Sequence, residues 1–129
     1  MERHIIHGHS RANLVEDGDL VEIPWIVSNP AGLKYPVAFS RAAWLTVMDG
    51  IGQERWPETP DALEEAILTE RATRTLRAAV SAVRAFSARG EDGDRVPFDV
   101  PLYDTRLHLH IGPGDDPEPV FTVFMPDED

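Results

Sequence analysis

Apolar and polar positions alternate with period two in two stretches near the end of the chain, Arg106 to Ile111 and Val120 to Met125. A Gly-Pro-Gly-Asp-Asp-Pro-Glu-Pro connector separates them, so the pattern predicts a β-hairpin closed by a long acidic loop. Leu107, Leu109 and Ile111 form the apolar side of its first strand, with His108 and His110 on the other. Just upstream, Arg95 to Tyr103 has strand composition, but Pro97 and Pro101 each remove a ladder donor, which predicts a sheet edge or a partly irregular strand.

The front of the chain reads as shorter pieces. An Ile-Ile pair in His4 to His7 predicts a short first strand. Ser10 predicts the N-cap of a helix from Arg11 to about Asp17, with Leu14 and Val15 inward and Gly18 as the C′ residue. Asp19 to Ile23 alternates, which predicts a strand with Leu20 and Ile23 inward, stopped by Pro24. Asn29-Pro30 and Gly32 are turn formers, so Trp25 to Tyr35 is expected to be irregular, and Tyr35-Pro36 favours an extended path. Ser40 then caps a helix that ends at Asp49-Gly50, and Phe39 and Trp44 stand at hydrophobic-staple spacing.

After a loop from Ile51 to Glu58, Thr59-Pro60-Asp61 is a helix start, with Thr59 as cap and Pro60 at the first helical position. Leu68, Ala72, Leu76, Ala79, Val80 and Val83 then step by three and four, giving one apolar stripe that runs toward Arg89, with Gly90 as the stop. A helix of about 30 residues is long for a globular domain, so a bend or break near Thr69 is expected. Together these elements predict an α+β fold. Its mostly antiparallel sheet comes from terminal strands plus the closing hairpin, with helices from the middle of the chain packed on one face.

A length of 129 residues with 42% hydrophobic side chains fits one domain spanning residues 1–129. Asp127 to Asp129 is the one candidate disordered piece, an acidic tail. The absence of cysteine excludes disulfides, Cys-ligated metals and thiol nucleophiles. No apolar stretch has signal-peptide or membrane-spanning length, so a cytoplasmic protein without membrane contact is expected. The formal net charge of −11 disfavours direct nucleic-acid binding, because such a chain repels phosphates at long range. The charge is uneven: residues 107 to 129 hold Asp115, Asp116, Glu118, Asp127, Glu128 and Asp129 and no Lys or Arg.

Three stretches, SRANLVEDGDLVEI, YPVAFSRAAW and GPGDDPEPVFTVFMPDED, resemble an uncharacterised family of small plasmid- and phage-encoded bacterial proteins. That family has a Thr/Ser-Arg-Ala helix ending in Asp-Gly, a PVALTRAVW helix start and a GPGD..EPV.T.M.P.ED ending. Ser10, Arg11, Gly18, Ser40, Trp44, Gly112, Asp115, Glu118 and Glu128 are among the positions in common. The resemblance covers about half of the chain, is most specific at its end, and implies a mobile-element setting without implying a reaction. Ile51 to Thr69 and the histidines have no counterpart in the pattern.

Candidate chemistry falls in two groups. Residues two apart on a strand share a face, so His108 and His110 could offer two imidazoles to one zinc ion, completed by His7 and His9 if the first strand pairs beside them. The alternative is that these histidines line the solvent face of the sheet. Gly112-Pro113-Gly114 lacks the Lys and the following helix of a phosphate loop and is explained by turn chemistry, while Asp115, Asp116 and Glu118 lack EF-hand spacing for a hard cation. There is no nucleophile elbow, so no catalytic residue is assigned and a non-enzymatic protein is expected.

The second group is acidic. Asp115, Asp116 and Glu118 in the hairpin loop, Asp127 and Glu128 in the tail, and Asp61, Glu64 and Glu65 at a helix start could present a surface that imitates nucleic-acid phosphates. Its partner would be a protein, a host nucleic-acid-binding complex of the restriction or CRISPR type. Against this stand a purely solubilising role for the charge and a structural or oligomerising module without a ligand; the oligomeric state is not indicated by the sequence.

Overall fold

The computed structural model describes residues 10–91, 93–100 and 104–128. The strand expected at His4 to His7 and the proline at 101 lie outside the described residues. In chain order the elements are α1 (Arg11–Asp17), β1 (Leu20–Glu22), α2 (Trp25–Ala31), β2 (Val37–Ser40), α3 (Arg41–Val47), α4 (Ala62–Ala88), β3 (Arg95–Val100), β4 (Thr105–Pro113) and β5 (Pro119–Phe124). The strands form one sheet in the order β1-β2-β5-β4-β3. All neighbours run antiparallel except β2 and β5, which pair in parallel with Val37 beside Phe121 and Phe39 beside Val123. The fold is α+β, with a mostly antiparallel sheet on which α4 packs.

Local chemistry explains most of the boundaries. Ser10 Oγ accepts the Asn13 N–H at 3.0 Å and Gly18 closes α1 at φ 86°, in the left-handed region that a residue without Cβ enters cheaply. Ser40 caps α3 in the same way through the Ala43 N–H at 3.2 Å. The expected staple forms, with the Phe39 and Trp44 rings edge to face at 6.1 Å. The hairpin also forms, in the register Pro113 opposite Pro119.

β3 is an edge strand, as Pro97 predicts. The Ile111 N–H donates to the Asp94 carbonyl at 2.8 Å. By the alternation of an antiparallel ladder, Val96, Phe98 and Val100 then bond toward β4, and the nitrogen of Pro97 faces outward. The missing donor costs the sheet nothing there, and it interrupts the row of groups that another chain could pair with.

Four expectations change. Trp25 to Ala31 is helical rather than irregular, despite Pro30 inside it; Val27, Ser28 and Ala31 are buried and α2 packs on α4, so tertiary contact outweighs the local turn signals. Asp61, not Thr59, caps α4. Its side chain takes the Glu64 N–H at 2.8 Å while Glu64 reaches back to the Asp61 N–H at 3.3 Å, a reciprocal pairing that a Thr59 cap could not make with Glu64. α4 continues for 27 residues without a break at Thr69, because Leu68, Ala72, Thr75, Leu76 and Ala79 keep one buried stripe across that point. Finally, Val21 of β1 and Ile23 just after it lie in the main core, and Leu20 is buried on the opposite face, as strand alternation requires of neighbours.

The core lies between the sheet and the helices from the middle of the chain. Phe39, Trp44, Leu68, Leu76, Leu107, Leu109 and Val123 are all fully buried there, each worth about 1.5–3 kcal/mol in transfer free energy. Since odd-numbered residues of β4 and β5 face this core, His108, His110, Thr122 and Phe124 share the sheet's second face.

Candidate functional site

The second face carries most of the polar chemistry. At one end of it α1 lies beside the hairpin tip, and Asp115 accepts two backbone N–H groups of its first turn, from Arg11 at 2.6 Å and Ala12 at 3.1 Å. The Arg11 side chain turns back to the sheet, donating to Thr122 Oγ1 at 2.9 Å and to the Phe121 carbonyl at 2.8 Å. Burial lowers the Arg11 pKa, and the carboxylates of Glu22 and Asp115 act in the opposite direction. An arginine in the first turn of a helix opposes the helix dipole. That mismatch is the sequence signal that Arg11 serves something other than α1.

At the other end, the carboxy-terminal segment is tied down. Glu128 Oε1 accepts from Ser40 Oγ at 2.6 Å and from the Met125 N–H at 2.8 Å. Glu128 of the acidic tail is therefore held by hydrogen bonds, while residue 129 lies outside the described residues.

Between these two ends sits Arg95. Its Nε donates to His108 Nδ1 at 2.8 Å, another guanidinium nitrogen donates to the Glu128 carbonyl, and its guanidinium carbon lies 5.6 Å from the Phe124 ring centroid. Burial, then Arg95 and Arg106, push the His108 pKa below its ordinary value. His110 packs edge to face on Phe124 at 6.1 Å and faces Asp94 at 3.7 Å. Its imidazole also occupies the space over Gly112, where a Cβ would come within 2.8 Å of its Cε1. Nearby, Arg106 holds Asp99 by two bonds of 2.9 and 3.1 Å, which lowers the carboxylate's pKa.

His108 and His110 thus share a face, but Nδ1 of His108 is occupied by a guanidinium that also repels a cation. Among the described residues no three His, Asp or Glu side chains gather as a metal site. His7 and His9 lie outside the described residues.

The eight acidic candidates separate into two roles. Asp115 caps α1, Glu128 anchors the tail, Asp61 and Glu64 cap α4, and Glu64 also accepts from the Gln53 amide. Glu65, Asp116, Glu118 and Asp127 are exposed, and their side chains make no hydrogen bond or ion pair among the described residues. Nor do the acids form one patch along the hairpin. Asp116 and Glu118 precede β5 and Asp127 follows it, so a six-residue strand of about 20 Å separates them.

Arg11, Thr122 and Arg95 are the residues that pattern reading misses, because their partners lie far off in sequence. Ser10 caps α1, Asp115 holds the first turn of α1 at Arg11, and Ser40 holds Glu128. No family model, curated protein or solved structure matches the chain. Among the described residues no helix is long and apolar enough to cross a membrane.

Proposed function

We propose that this protein is a non-enzymatic acidic binding protein that works by protein–protein contact. Its unpaired carboxylates compete with nucleic acid for a host nucleic-acid-handling complex of the restriction or CRISPR type. The observation that carries this reading is the set of exposed acids without intramolecular partners, Asp116 and Glu118 at the hairpin tip with Glu65 and Asp127 elsewhere, on a chain of net charge −11. Acids needed only to cap helices would be engaged, as Asp61, Glu64 and Asp115 are. Carboxylates left free on a formed hairpin break no intramolecular bond when a cationic groove approaches, and their long-range field speeds the encounter.

The rigid spacing of the tip is built by Gly114, whose N–H donates to the Glu118 carbonyl at 3.2 Å across the loop. A mobile-element origin, suggested by the resemblance of the GPGD-to-PDED ending, fits an inhibitor of a defence complex. Capture of candidate effectors from a host lysate on immobilised protein tests the proposal. Recovery of a nucleic-acid-binding complex that elutes with rising salt supports it, and capture unchanged by salt contradicts it.

A further inference from the structure

We infer that Arg95, His108 and Glu128 form a pH-gated clasp, which holds the carboxy-terminal segment on the sheet's second face while His108 is neutral and loosens when His108 is protonated. The clasp is independent of what the free carboxylates bind.

The geometry sets the proton state. Arg95 Nε donates to His108 Nδ1 at 2.8 Å, so that nitrogen must carry a lone pair and the imidazole must be neutral with its proton on Nε2. A protonated imidazole has N–H at both nitrogens. The bond would then be replaced by two donors and two positive charges at hydrogen-bond distance, and Arg95 would have to move away.

Arg95 cannot move alone, because the same guanidinium donates to the Glu128 carbonyl and covers the Phe124 ring. Its departure removes one hold on the tail. The Glu128 carboxylate on Ser40 Oγ, the Thr46 hydroxyl on Met125 Sδ and the packing of Met125 against the core remain. Protonation therefore loosens residues 125–128 without expelling them, and uncovers Phe124.

The charges around His108 agree with a neutral ground state. From β3 come Arg95 and Asp99, and from β4 Arg106 and His110. Asp99 is already engaged by Arg106, and Asp94 faces His110. β5 offers the uncharged Phe124 and Thr122, and the tail offers Asp127 and the Glu128 carboxylate, the latter turned to Ser40. Among the described residues, the group in hydrogen-bond contact with the imidazole is thus a cation, and burial adds to the same preference.

The test is nuclear magnetic resonance of the full chain from about pH 8 to about pH 5, the range in which histidine titrates. It follows the His108 imidazole nitrogens together with the amides of Met125 and Glu128. The two amides should shift, and the protection of the Met125 amide, measured against its intrinsic exchange rate at each pH, should fall several-fold in one step that tracks the His108 titration below its ordinary pKa. In His108→Gln the amide oxygen still accepts from Arg95 but cannot titrate, so the step should vanish with the tail held. His110→Gln should keep the step, and Arg95→Met should leave the tail loose at every pH. Tail signals that stay still while His108 titrates would overturn the clasp, as would a step that survives in His108→Gln. The wild-type titration decides the matter even if a variant does not fold.

Discussion

Asp115 and Arg11, 104 residues apart in sequence, are joined by a 2.6 Å hydrogen bond from the backbone N–H of Arg11 to a carboxylate oxygen of Asp115. The second oxygen takes the Ala12 N–H, so the tip of the hairpin caps the first helix. This bond divides three consecutive-looking acids by role: Asp115 is structural, whereas Asp116 and Glu118 project freely.

Asp115→Ala should therefore destabilise the protein by about 1 kcal/mol, the usual value of a helix N-terminal acceptor. Asp116→Asn and Glu118→Gln should each change stability by less than about 0.5 kcal/mol, as surface substitutions do. Urea unfolding of the three variants checks the ordering, and it makes Asp116 and Glu118 the positions at which charge can be removed without disturbing the fold.

Arg11→Met keeps most of the side-chain volume but removes the donor to the Thr122 hydroxyl and one donor of the Phe121 carbonyl, which the parallel ladder with β2 also engages. A loss of about 2 kcal/mol is expected, in line with hydrogen bonds from a charged group. Arg11→Lys should recover only part of it, because one ammonium cannot reproduce the two directions of the guanidinium fork.

Trp44 is fully buried, edge to face with Phe39 and 6.1 Å from Trp56, and its indole N–H donates to the Gln53 carbonyl at 2.8 Å. Trp44→Ala should cost about 3–5 kcal/mol. Thermal unfolding with a fluorescence readout should show a much lower midpoint, whereas Leu63→Gln, at a side chain 71% exposed, should leave the midpoint almost unchanged.

The His108 shift has a definite sign. Its folded pKa is lowered, so between the folded value and the unfolded value of about 6.5 the unfolded chain binds more protons and stability rises with pH. The contribution is complete above about pH 6.5 and declines as pH falls from there through the folded value. Urea midpoints measured across this range should fall with acid in the wild type and fall less in His108→Gln.

The elements legible in the sequence are those whose causes are local. Ser10, Gly18 and Ser40 act within one turn of their own helices, the Phe39–Trp44 staple spans five residues, and Pro97 marks an edge by its own missing donor. What escaped pattern reading depends on distant partners. The helix at Trp25–Ala31 exists because Val27 and Ala31 find a surface on α4, and the parallel placement of β2 beside β5 needs the whole intervening chain.

The candidate site follows the same division. That His108 and His110 share a face is readable from strand alternation, while the guanidinium that occupies His108 comes from the neighbouring strand. The acidic residues are readable as a composition, but their separation into caps and free groups is not, since the amides that Asp115 accepts from belong to the other end of the chain.

The most direct measurement of the central claim is competition between this protein and DNA for a purified restriction or CRISPR effector, with the wild type compared to a chain carrying Asp116→Asn, Glu118→Gln, Asp127→Asn and Glu65→Gln. The wild type should displace DNA, its inhibition should weaken with salt, and the substituted chain should keep its stability but lose most of the inhibition. Inhibition that is equal in both chains and indifferent to salt would contradict the claim.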